Sequence, residues 1–152
     1  MKQAAFIIPF LLLFKLTGFT QTSEYRFRNL TVKEGLSQSS VIKIHQDRLG
    51  QMWFATRDGL NTYDGNRFKV YRNNPNHAKS ISNSDILSIE EDSDGNIWTG
   101  TYNGLNKFNP EKNTFTQYFH TNNEKSLSNN TIWCIKEINN KIWVGTSKGL
   151  ST

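Results

Sequence analysis

One phrase of eleven residues recurs three times at a fixed spacing, and it restricts the fold more than any other feature of the chain. The copies are Gly50 to Leu60, Gly95 to Leu105 and Asn140 to Leu150; Trp53, Trp98 and Trp143 mark a period of 45 residues. Among repeat architectures, a period of about 40 to 50 residues belongs to propeller blades. Each copy opens on a turn residue, runs through an apolar stretch around its Trp, reaches a Thr, and passes two variable residues to Gly-Leu. That pattern is a strand, a tight turn and an antiparallel return, with Gly59, Gly104 and Gly149 as structural positions suited to positive φ. A single Gly-x-x-Trp would mark an ordinary hairpin. Three copies in phase mark a repeat.

The intervening residues supply the rest of the unit. First strands are expected at 41–46, 86–91 and 132–137, where apolar residues such as Val41, Ile42 and Ile44, or Ile132, Trp133 and Ile135, are dense enough for both faces to be covered. Second strands carry the tryptophans. Third strands are expected at 60–63 and 105–108, and fourth strands at 67–72 and 114–119. The expected class is all-β: propeller blades of four antiparallel strands, about two and a half blades of an incomplete ring. Blades span 36–80 and 81–126, with a partial blade at 127–152. Residues 25–34, alternating aromatic and polar from Tyr25, are expected as the outer strand that closes such a ring, and 21–152 as the N-terminal fragment of a longer propeller.

Residues 1–20 read as an export signal. Met1-Lys2 gives a charged start, Ala4 to Phe14 is apolar, and Gly18 and Thr20 are small residues before Gln21. The apolar run is shorter than the roughly 20 residues a membrane span needs, although Lys15 leaves an uncleaved anchor as the alternative. The chain has 18 Lys and Arg against 13 Asp and Glu, for a net charge of +5. Without Lys2 and Lys15 the excess is small and dispersed, which gives no case for nucleic acid as a partner. Cys134, the single cysteine, reads as a small hydrophobe within a buried strand.

The run from Gly35-Leu36-Ser37-Gln38 through Asp47-Arg48-Leu49-Gly50-Gln51-Met52-Trp53 to Asp58-Gly59-Leu60 resembles the two-component regulator propeller repeat. The resemblance covers about residues 25 to 152. It implies the periplasmic sensor region of a bacterial hybrid histidine kinase, followed in such proteins by a membrane span and a kinase core that this chain does not contain. The third copy departs from the pattern: Glu137-Ile138-Asn139-Asn140 replaces the Asp-x-x-Gly turn and is one residue shorter.

Chemistry-bearing motifs are sparse. Glu90 to Gly95 has oxygen ligands at alternate positions, but Glu90 and Thr101 stand where a calcium loop needs Asp and Glu, so it reads as a solvated turn. His45, His77 and His120 lack metal-ligand spacing. Neither a metal nor a cofactor is expected, and enzymatic activity is not expected in this segment. Antiparallel strands reverse at each step, so the turn between second and third strands emerges on the same face as the connection to the next blade. The variable pairs Arg57 and Asp58, Tyr102 and Asn103, Ser147 and Lys148, with the connections at 73–79 and 120–125, are the ligand-binding candidates there. Expected partners are a polar ligand such as an oligosaccharide, the remaining blades of the same propeller, and a second copy of the full-length protein. The competing readings are an exported propeller lyase or glycosidase, and an extracellular scaffold without signalling.

Overall fold

The computed structural model describes residues 24–152, so the expected leader and its cleavage site before Gln21 lie outside the described residues. The strands are β1 (Val41–Gln46), β2 (Met52–Thr56), β3 (Gly59–Tyr63), β4 (Phe68–Tyr71), β5 (Ile86–Glu91), β6 (Ile97–Thr101), β7 (Gly104–Asn109), β8 (Thr114–Tyr118), β9 (Ile132–Ile138), β10 (Lys141–Thr146) and β11 (Gly149–Ser151). They form three separate antiparallel sheets in the sequential orders β1 to β4, β5 to β8 and β9 to β11. Each sheet is a propeller blade, the third with three strands.

The turn joining the first two strands is built around an aspartate. In the first blade Asp47 accepts the N–H groups of Leu49 and Gln51 through one carboxylate oxygen and the Trp53 indole N–H, at 2.8 Å, through the other. Asp92 repeats this with Asn96 and with Trp98 at 2.7 Å. Gly50 and Gly95 complete these turns with φ of 83° and 82°. In the third blade, Asn139 and Asn140 instead adopt φ of 52° and 60°, a two-residue turn with both central residues left-handed. That turn carries no aspartate, and the buried Trp143 Nε1 has no hydrogen-bond partner among the described residues.

The blades stack through two apolar cores. Trp53, Ala55, Leu60, Ile81, Ile86, Ile89, Ile97, Phe108 and Phe115 fill the first boundary, where the Trp53 and Phe108 rings meet edge to face at 5.3 Å. Leu105, Ile132, Ile135 and Val144 fill the second, packed by Trp98, Leu127 and Ile142. A side chain at Gly100 would overlap Ile132 and Ser88, so the missing Cβ is what lets the third blade close on the second. At the end of the blades opposite the β2–β3 turns, a glutamate at or next to the end of one blade's first strand caps the preceding blade's turn: Glu91 accepts from Arg48 N–H at 2.9 Å, and Glu137 from Ser93 N–H at 2.6 Å.

Three expectations need correction. Residues 25–30 pair with no strand, residues 32–34 make a single 3-10 turn, and Phe27 is almost fully exposed; an extended segment is a strand only when a neighbour supplies its ladder, and none of the described strands lies beside this one. Second, both faces are covered only in the middle blade. Ile44 on β1 remains exposed because no described blade precedes it. Third, Cys134 is exposed. It lies opposite Gly145 on the side of the third blade that no described residue covers.

Candidate functional site

A repeated polar brace holds the β2–β3, β6–β7 and β10–β11 turns. Asn61, buried on β3, accepts the Ser37 N–H at 2.9 Å and donates to the Ser37 hydroxyl, which in turn contacts the Thr56 hydroxyl at 2.7 Å. Thr56 donates to the Gly59 carbonyl across the turn. Asn106, Ser82, Thr101 and Gly104 reproduce the set. Ser151, Ser128, Thr146 and Gly149 do so in the third blade, with serine in the asparagine's place. Gly59, Gly104 and Gly149 adopt φ of 132°, 113° and 117°. Buried polar groups need partners, and here the partners come from the segment that enters the blade. The brace therefore fixes the turn and the entering segment at one end of the sheet.

The six candidate residues lie on these turns. Asp58 is joined to Arg72 at 3.0 Å, and Arg57 stands 4.0 Å from Asp85 of the next blade's entry. The Tyr102 ring meets the Trp133 ring edge to face at 5.7 Å. The Asn103 N–H is bound by the Thr101 hydroxyl and the Lys148 N–H by the Thr146 hydroxyl. Ser147 donates to Asn129 at 2.7 Å. The structure links Arg57 to Tyr102 through Asp85, whose carbonyl receives the Tyr102 N–H at 3.3 Å. Asp58 is held apart by Arg72.

Sequence reasoning missed Asp85, Asn129 and Trp133. Trp133 was expected to be buried and is instead 51% exposed. The available signal was that Trp133 alone among the four tryptophans falls outside the 45-residue phase. The connection at 73–79 also departs from expectation. Asn73 stays at the turn face, bound to Ser84, but the chain then follows the outer edge of the second blade, where the Lys79 carbonyl accepts the Phe115 N–H at 2.9 Å. This shields an otherwise open strand edge. Three of the four carboxylates of the calcium-like run are engaged by protein groups: Glu90 with Lys136, Glu91 with Arg48, Asp92 with Asn96 and Trp98. Partial burial raises the Asp92 carboxyl, but hydrogen bonds from Trp98 and Asn96 and the charge of Lys107 outweigh it and hold the group below the ordinary aspartate value.

A cleft of about 500 Å³ lies between Trp98, Tyr118, Leu127 and Ile142, with Lys125 and Ser126 also on its lining. At the first boundary the matching volume holds Phe108 and Phe115 against Tyr71. Among the described residues no aromatic fills it in the third blade. The cleft thus belongs to blade packing.

The two-component regulator propeller profile matches residues 35–58, 80–103 and 126–148. A 61-residue stretch, 40% of this chain, is 61% identical to Histidine kinase P4 of Formosa agariphila, of which it represents 4%. The extracellular domain assigned to the hybrid two component system BT3049 of B. thetaiotaomicron is 28% identical with a TM-score of 0.73, over 82% of this chain and 20% of that one. The chain spans only a small part of either relative.

Proposed function

Since this chain belongs to the two-component regulator propeller family, we propose that it is part of the extracytoplasmic ligand-sensing propeller of a two-component sensor. The segment contributes recognition rather than catalysis, and phosphoryl transfer belongs to a kinase elsewhere in the system. The observation that carries this reading is the co-occurrence of all three repeats with a fold like that of an extracellular two-component sensor domain. The ligand is polar, a glycan for instance, and meets the turn face through Arg57, Asp58, Tyr102, Asn103, Ser147 and Lys148. Loops held by a rigid sheet are where such scaffolds carry recognition.

Two measurements test the reading. Alkaline phosphatase fused after Thr152 should be active, because the enzyme matures only outside the cytoplasm, and an inactive fusion with an intact protein level contradicts export. In the native host, a transcriptional reporter of the system should lose its response to extracellular ligand when residues 36–152 are deleted. A retained response contradicts the sensory role.

A further inference from the structure

The second and fourth strands of a blade share an aromatic pair. Trp53 on β2 stacks on Tyr71 of β4 with ring centroids 6.4 Å apart, and Trp98 on β6 meets Tyr118 of β8 at 5.6 Å. Each of these tyrosines stands directly opposite the repeat leucine of the third strand, Leu60 or Leu105. Both leucines are buried, at 0% and 4% exposure. The third blade lacks this arrangement. No fourth strand lies beside β11 among the described residues, and Leu150, the matching leucine, is 61% exposed.

A segment with the missing sequence is present at the other end of the described chain. Tyr25 and Phe27 belong to an extended stretch that pairs with no strand, and they are 83% and 93% exposed. Phe27 precedes the brace serine Ser37 by ten residues, as Tyr118 precedes Ser128, while Tyr71 precedes Ser82 by eleven. The stretch is therefore connected as a fourth strand that leads into the next blade, and that blade is the first. Its own third blade is out of reach. A ring closes with roughly four to eight blades, and one copy supplies three, so its first and third blades do not become neighbours.

We infer that two copies of this chain exchange residues 25–30. The stretch of each copy runs antiparallel along β11 of the other, with Phe27 opposite Leu150 and its ring on Trp143, and the first blade of each copy docks on the third blade of the other. Strand addition of this kind supplies backbone hydrogen bonds to an open edge while side chains set the register. The same docking covers Ile44, which is 56% exposed although its counterpart Ile89 on β5 is 2% exposed at the boundary of the first and second blades. Two copies supply six blades and three would supply nine, so the head-to-tail contact closes at two. The inference goes beyond the sensor reading and does not depend on it.

The test uses the full chain. Sedimentation equilibrium at micromolar concentrations should return twice the chain mass. Phe27→Ser alters a side chain that is exposed in the single copy, so the blades should still fold and the Trp53 indole signal in NMR should stay in place, while the dimer dissociation constant rises at least about tenfold. Tyr25 and Thr152 fall opposite each other when Phe27 faces Leu150. In a Cys134→Ala background, Tyr25→Cys combined with Thr152→Cys should therefore give a disulfide-linked dimer on oxidation, and neither substitution alone should do so. Three results overturn the exchange: a monomer or an open-ended series of masses, a Phe27→Ser chain that dimerises as well as its parent, or no disulfide-linked dimer from the double cysteine variant. None of them touches the export and reporter measurements.

Discussion

Asn106 shows how a single side chain can join two segments far apart in sequence. It satisfies the Ser82 N–H and hydroxyl from the core of its own blade and lies fully buried. Asn106→Ala should therefore strand a buried donor and cost about 1–3 kcal/mol, read as a lower urea midpoint with unchanged slope. An unchanged midpoint would remove the brace from the account. At this scale the sequence was partly legible. The phased Trp and Gly positions stood out because they repeat, and their roles follow from the turn they flank. The Asp to indole bond was harder to see, because it joins residues six apart across a turn whose Asp-x-x-Gly pattern explains the aspartate without it. Trp133 was misread because apolar density argues for burial, whereas exposure depends on a bulge and on a neighbouring blade, neither of which a local pattern reports.

At the level of elements, the turn around Asp92 makes the second blade sensitive to acid. A carboxyl held low in the folded protein remains ionised where the unfolded chain would take up a proton. The stability it contributes is complete above the ordinary aspartate value and is lost as pH falls through the folded one. The melting temperature should fall on acidification below about pH 4, and Asp92→Asn should show a shallower fall over that range. Parallel curves would mean that Asp92 does not contribute. The third blade, with Asn139 and Asn140 in that turn, lacks this dependence. The strand positions were legible from dense apolar runs and tight turns. The extended segment at 25–30 was not, since alternation there describes a strand's composition and the partner that would make it one is absent from the described residues.

Across the whole molecule, the blades stack by one rule repeated twice, and the two outermost faces are left uncovered among the described residues. Ile44 on one side, and Trp143 and Cys134 on the other, occupy positions whose counterparts pack at the inner boundaries. Exposed apolar faces and open strand edges favour association. The chain expressed by itself should sediment as oligomers at micromolar concentrations, and Ile44→Lys should shift it toward monomer. A monodisperse monomer in the unmodified chain would show that these faces are covered in some other way. The central claim is that the 45-residue repeats stack as neighbouring blades. Trp53 and Phe108 belong to different repeats and their rings lie 5.3 Å apart, so the most direct measurement is a nuclear Overhauser contact between these two rings in the folded Ile44→Lys chain. A strong cross-peak is the predicted result; its absence from a well-dispersed spectrum would contradict the stacked-blade fold.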